Sequence, residues 1–261
     1  MAAGHTVGLL YPGYAAEDDF PRLALRLGPG VRLPVVHTSV GEDAHRVDAL
    51  LDLGGEDRLA AGVPELGQLG VDAVVWACTS GSFVFGWAGA AEQAASLSRL
   101  AGVPATSTSF AFVAAARSLD LQRVAVAATY PQDVAEHFAK FLGAGGIEVV
   151  SLTSRNIVTA AEVGRLGRDQ VLELAAANDH RDAEALLLPD TAMHTVAWLD
   201  ELEARLGKPV LTANQVSAWH GLRLAGNQAT AEGAGTLFRT LRQPVAGPAR
   251  SMDRVEEAFR R

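Results

Sequence analysis

The sequence predicts an α/β fold, and three observations carry the prediction. Short apolar runs alternate with longer helix-like stretches from one end of the chain to the other, and segments of the first half recur in order in the second. Aromatic residues are sparse while Ala, Gly, Val and Leu dominate, a composition suited to tightly packed helices and buried strands. The apolar runs are continuous rather than alternating, as expected of strands buried on both faces of a parallel sheet. Sites in such folds lie at the carboxyl ends of the strands.

In chain order, the first strand is expected over 7–10 and stops at Tyr11-Pro12. Glu17-Asp18-Asp19 then reads as a solvated first helical turn. A second strand is expected over 31–36, and a third over 73–76 that delivers Cys78-Thr79-Ser80-Gly81-Ser82. A helix over 91–100 precedes the strand 124–127, which leads into Tyr130-Pro131. The helix 133–142, the strand 148–151 and a loop holding Asn156 follow, then a helix over 162–177. The strand 186–188 ends in Pro189-Asp190-Thr191-Ala192, where a helix is expected to start at Thr191. A helix over 196–206, a strand over 209–211 and a charged terminal helix over 254–261 complete the pattern. His194 and His220 fall on expected helices and are left out of the site.

The repeat gives the organisation. Val7-Gly8-Leu9-Leu10-Tyr11-Pro12 has its counterpart in the run that ends in Thr129-Tyr130-Pro131. Ala73 to Ser80 pairs with Ala185 to Ala192, and Gly102-Val103-Pro104 with Gly207-Lys208-Pro209. Three matches in order point to two similar α/β lobes. We expect residues 1–115 with 215–261 to form the first lobe and 116–214 the second. A pseudo-twofold axis would then set Cys78 and Asp190 at equivalent strand ends, facing each other across the cleft.

Composition narrows the function. With 261 residues the chain can bury a substantial core. A formal charge of −8 argues against nucleic acid as a partner, because no basic patch neutralises phosphates. A single cysteine excludes an internal disulfide and suits the reducing cytoplasm. The apolar run at 7–10 is too short for a membrane span and lacks the flanks of a signal peptide. The scattered histidines suggest no metal site.

Cys78 follows a hydrophobic strand, where a helix N-terminus would favour its thiolate. Thr79, Ser80 and the neighbouring amides suit one carboxylate. The same residues also read as a small buried cysteine followed by helix caps. Asp190 reads both as an N-cap and as a general acid or base in an apolar cleft. Tyr130 and Tyr11, at equivalent strand ends, can donate to a substrate oxygen or simply pack. Asn156 is a candidate loop donor.

The Cys-Thr-Ser-Gly-Ser strand end, the Tyr-Pro strand end, and the stretch with Gly207-Lys208-Pro209-Val210, Asn214-Gln215 and Trp219-His220 resemble the aspartate/glutamate racemase superfamily. They are most similar to its maleate isomerase and arylmalonate decarboxylase branch. The resemblance runs from about Val7 to about Gly226 and implies two Rossmann-like lobes with an active site between them. It implies no cofactor, no metal, a small mono- or dicarboxylate substrate, and self-association into a homo-oligomer. Members of this branch use a cysteine from one or both lobes. By position, Cys78 matches the first cysteine, Thr79 and Ser80 the carboxylate-binding pair, Tyr130 the tyrosine of that pocket, and Asn156 a substrate-contacting asparagine. Asp190 stands where the second cysteine is expected, with Thr191 beside it, so a two-thiol mechanism is impossible.

The function expected first is cis–trans isomerisation of a small enedioate such as maleate, with Cys78 adding to the alkene and Asp190 handling the proton. A racemase, a decarboxylase that reprotonates from Cys78, and a non-catalytic carboxylate-binding protein are the alternatives.

Overall fold

A computed structural model describes residues 4–239. Nine strands form two wholly parallel sheets. They are β1 His5–Pro12, β2 Val31–Arg32, β3 Val35–Thr38, β4 Ala73–Trp76, β5 Ala105–Ser107, β6 Arg123–Ala128, β7 Glu148–Ser154, β8 Ala185–Leu188 and β9 Val210–Thr212. The first sheet runs β2-β1-β4-β5, with β3 also paired to β1; the second runs β7-β6-β8-β9. The orders match strand for strand: β1 with β6, β3 with β7, β4 with β8 and β5 with β9. The central strands β4 and β8 are buried at every position, which is why their runs carry no polar alternation.

Three local differences from the expected pattern have physical causes. The strand expected over 31–36 divides into β2 and β3 around Leu33-Pro34, because proline has no N–H for the ladder. Strand β5 was not expected; its Ala-Thr-Ser sequence lacks an apolar run, yet it pairs with β4 from Val74↔Ala105 onward. No helix starts at Thr191. Residues 191–195 form a turn, a 3₁₀ turn follows at Val196–Trp198, and the helix begins at Leu199. His194 therefore sits in a turn rather than on a helix, with Nε2 2.8 Å from Asp18 Oδ1. The expected terminal helix over 254–261 lies outside the described residues.

The helix Ala213–Leu224 leaves β9 and crosses back to pack on β1, β4 and β5. Gly221 permits that approach, since a Cβ there would collide with the side chains of Val7 and Val75. The sheets are further joined by aromatic contacts beside the strand ends. Phe83 meets Tyr130 at 5.8 Å and Phe138 at 5.3 Å between ring centroids. Pairs of this kind contribute about 0.5–1.5 kcal/mol each beyond their burial, so the strand ends are held in a fixed relation. One core cluster runs continuously from the first sheet into the second. Among the described residues no helix is long and apolar enough to cross a membrane.

Candidate active site

Cys78 lies two residues beyond the end of β4, and Asp190 two residues beyond the end of β8. Both line one cavity of about 200 Å³, together with Tyr11, Ser80 and Thr191. Residues 40–45, in the segment that leaves β3, line it as well, with Ala160 and Ala161 of the second lobe. Of the residues expected from sequence, the structure brings these five to the cavity wall. Thr79 and Tyr130 are buried and are not on that wall. Asn156 is exposed on the loop after β7, with a φ of 55°, and lies outside the cavity.

The sulfur of Cys78 accepts the Gly81 N–H at 3.3 Å and lies 3.8 Å from Ser80 Oγ. Gly81 lies close under the sulfur: a Cβ there would come within 3.1 Å of Cys78 Sγ and 3.2 Å of the Trp76 ring. Gly54 in turn packs so closely on the Gly81 carbonyl that no side chain fits. Burial pushes the Cys78 thiol up to about 11; the Gly81 N–H and the Ser80 side chain oppose the shift, while the charge of Asp190 adds to it. Cys78 is thus a neutral thiol near neutral pH, not the thiolate that a helix N-terminus suggested. The helix that follows, Ser80–Phe83, spans only four residues, too short a dipole to offset complete desolvation.

Asp190 is held on both oxygens. Ala192 N–H donates to Oδ1 at 2.9 Å, and the Thr129 hydroxyl donates to Oδ2. The carbonyls on either side are fastened as well: Tyr130 OH donates to Pro189 O at 2.8 Å and Tyr11 OH to Thr191 O at 2.9 Å. Both phenols are pushed well above their ordinary values, first by burial. For Tyr130 the charges of Asp190 and Cys78 add to this, and for Tyr11 the Ala16 N–H opposes it. Thr79 is fully buried off the cavity wall, with its side chain beside the Tyr130 hydroxyl.

The acidic run near the N-terminus is not a solvated turn throughout. Asp19 is buried and accepts Thr195 N–H at 2.9 Å, Val196 N–H at 3.3 Å and Asn214 Nδ2 at 3.2 Å. It ties the segment after Asp190 to the first lobe, and burial raises its pKa. Sequence reasoning also missed Thr129 and His45. The repeat held a signal for Thr129, since its counterpart beside Tyr11 is Leu10, with no hydroxyl. His45 had none, because the bonds that place it reach across more than a hundred residues. Among the described residues, no group of three or more His, Cys, Asp or Glu is arranged to hold a metal.

Comparison with known proteins places the chain in a family. A family model described as arylmalonate decarboxylase matches residues 54–238. The chain is 28% identical to arylmalonate decarboxylase of Bordetella bronchiseptica over 250 residues, covering 91% of this chain and 98% of that protein. It is 26% identical to maleate isomerase of Nocardia farcinica over 243 residues, covering 89% and 95%. Among solved structures, an arylmalonate decarboxylase double mutant in liganded form superposes with a TM-score of 0.80 at 27% identity, covering 90% of this chain and 99% of that one. In that mutant a glycine is replaced by cysteine and a cysteine by serine. The maleate isomerase of Pseudomonas putida S16 shares the fold at a TM-score of 0.83 and 20% identity, covering 91% and 99%.

Proposed function

The chain belongs to the arylmalonate decarboxylase family, and on that premise we propose that it decarboxylates a small α-substituted malonate, with Cys78 returning a proton to the α-carbon. The observation that carries this reading is the Cys78 thiol, which faces the cavity and is held neutral by burial. A neutral thiol is a proton donor and a weak nucleophile. In the reaction, the bond from the α-carbon to the leaving carboxylate breaks and its electron pair stays as the enediolate of the remaining carboxylate. The Cys78 proton then passes to that carbon. The thiolate left behind keeps the Gly81 N–H as a partner and regains a proton from water. Ser80, on the cavity wall, is the group suited to hold the enediolate oxygens. Asp190 accepts hydrogen bonds on both oxygens, which leaves Cys78 as the one thiol donor, so the product expected is a single enantiomer.

The arylmalonate decarboxylase double mutant with one cysteine gained and one lost is in liganded form, which supports a site of this fold that tolerates a changed cysteine set. In this chain the one cysteine is Cys78, beyond β4, and Asp190 stands at the matching end of β8.

Isomerisation of a maleate-like substrate is the second reading, favoured by the Nocardia relative. A cysteine-to-serine mutant of that isomerase carries a covalently bound succinylcysteine intermediate. In this chain, Cys78 would first lose its proton, with Asp190 across the cavity as acceptor. The thiolate would then add to one alkene carbon, the new single bond would rotate, and the C–S bond would break. The initial deprotonation of a thiol at about 11 places this reading second.

Proton NMR in D₂O separates the two. With an aryl(methyl)malonate we expect loss of the substrate and growth of one α-deuterated enantiomer, falling at least ~1,000-fold in Cys78→Ala. Conversion of maleate to fumarate without loss of malonate would put the isomerase first. Turnover that survives Cys78→Ala would overturn both.

A further inference from the structure

We propose that Gln93, which lies outside the cavity, is a positioning residue for Cys78. By holding the Gly81 carbonyl it keeps the Gly81 N–H on the sulfur, and so governs how readily the thiol gives up its proton. The inference rests on Cys78 being the reacting group and is independent of which substrate bond breaks.

Gly81 needs support from outside its own helix. Without a side chain, glycine restrains its backbone least, and the helix that holds it, Ser80–Phe83, ends after four residues. The carbonyls of a last turn have no partner within the helix. The Phe85 N–H, which would reach the Gly81 carbonyl in a longer helix, goes instead to Ser82 O at 3.1 Å. Two side chains take its place: Trp76 Nε1 donates to Gly81 O at 3.2 Å and Gln93 Nε2 at 2.9 Å. The N–H of the same residue donates to Cys78 Sγ at 3.3 Å, so anchoring the carbonyl anchors the sulfur's donor.

Gln93 comes from the helix Gly86–Ala101 and joins two parts of the first lobe. Its Nε2 also donates to Gly54 O at 2.8 Å. Gly54 follows the helix Val47–Leu53, whose Leu50 and Leu53 line the cavity. A Cβ at Gly54 would fall 2.0 Å from Gly81 O and 2.8 Å from Gln93 Nε2, so a glycine there lets all three groups meet. The amide orientation is set by its partners, since both are carbonyls and only the NH₂ can face them. Gln93 Oε1 is then left buried with no donor among the described residues. A buried acceptor without a partner is uncommon, and here it follows from aiming both N–H bonds at Gly54 and Gly81.

The Gly81 N–H opposes the upward shift that burial imposes on Cys78. Asp190, Tyr130 and Tyr11 are the titratable groups that interact with the thiol, and Tyr14, Glu42, Asp43 and His45 line the same cavity. Gln93 bears no charge, and its partners are backbone carbonyls. Replacing it therefore leaves those titratable groups in place and weakens the hydrogen bond to the sulfur. Losing one such bond lowers the thiolate population about tenfold at a given pH. The more basic thiolate is the better nucleophile, so alkylation slows only about threefold.

The test is the rate of iodoacetamide alkylation of Cys78 in the full chain from pH 7.5 to 9.5, in wild type, Gln93→Met, Trp76→Phe and Ser96→Ala. Methionine keeps the length of glutamine and deletes the donor. Trp76→Phe removes the other donor to Gly81 O and leaves the Gly54 contact alone. Ser96, on the same helix and bonded to Glu56, is the control. We expect alkylation about threefold slower than wild type at each pH in Gln93→Met, slower also in Trp76→Phe, and unchanged in Ser96→Ala. In the malonate assay, kcat of Gln93→Met should fall by a similar factor with KM unchanged. A substitution that merely loosened the fold would uncover the sulfur and speed alkylation. Alkylation in Gln93→Met at or above the wild-type rate, or equal slowing in Ser96→Ala, overturns the inference. If Trp76→Phe does not fold, the comparison of Gln93→Met with Ser96→Ala decides alone. Failure of the decarboxylase reading looks different: the same order of alkylation rates, with no turnover of the malonate.

Discussion

The ends of β4 and β8 hold their key side chains at the same topological place and surround them in opposite ways. Cys78 receives the Gly81 N–H, with the Ser80 backbone and hydroxyl at the edge of contact. Asp190 has both oxygens occupied, and the carbonyls on either side of it are fastened by Tyr130, Tyr11 and Asn214. The pseudo-twofold therefore supplies position only. Which end can give up a proton is decided by the polar groups each lobe places around its own strand end. The first lobe leaves a buried thiol with its proton; the second fixes a carboxylate as an acceptor.

The largest effect should come from making the two ends alike. Asp190→Cys places a second thiol opposite the first, so a proton can reach either face of the enediolate. In the D₂O assay we expect enantiomeric excess to collapse and the α-proton of the product to exchange. Asp190 also raises the Cys78 pKa by its charge. In Asp190→Asn, which keeps a single thiol, the pH profile of iodoacetamide alkylation of Cys78 should therefore move to lower pH. A product that stays one enantiomer in Asp190→Cys would mean that the second strand end does not face the reacting carbon.

The next effect tests the first end alone, through stability. The thiol is raised from 9.0 to about 11 in the folded protein. A group whose folded pKa lies above its unfolded value adds stability that is complete below the unfolded pKa and is lost as pH rises through the folded one. Its window is pH 9 to 11, and two pKa units at full burial correspond to about 2–3 kcal/mol. Tyr11 and Tyr130 are raised as well, so every variant loses stability on the alkaline side. The diagnostic quantity is the difference between wild type and Cys78→Ala in urea unfolding, which should narrow across that window. A constant difference from pH 8 to 11 would mean the thiol is not buried as described.

The same asymmetry explains what the sequence revealed. Strands β1, β4, β6 and β8 were legible because burial on both faces leaves an uninterrupted apolar run. Cys78 and Asp190 were legible because the repeat aligned their strand ends. Strand β5 was missed because Ala105-Thr106-Ser107 owes its place to β4 and carries no pattern of its own. Asp19 read as solvated because its neighbours Glu17 and Asp18 are charged; its burial comes from Thr195, Val196 and Asn214, far along the chain. His45 likewise takes its position from Ile157 and Val158. Local pattern identified the reacting groups, whereas the groups that set their roles are long-range partners with no local signature.

Thr129 gives the smallest predicted effect and tests which contact creates the asymmetry. The first lobe has Leu10 at the matching position, so no hydroxyl reaches back from β1 toward Cys78 in the way Thr129 reaches Asp190. Thr129→Val keeps the shape and deletes the donor, leaving one buried carboxylate oxygen without its partner. We expect a loss of about 1–3 kcal/mol in urea unfolding and a turnover about tenfold slower, equivalent to ~1.4 kcal/mol in the barrier. Thr129→Ser should restore both, because serine returns the hydroxyl at the cost of one methyl. If Thr129→Val unfolds at the wild-type midpoint and turns over at the wild-type rate, the Ala192 N–H alone fixes Asp190. The difference between the strand ends would then arise in the turn after β8 rather than in the neighbouring strand.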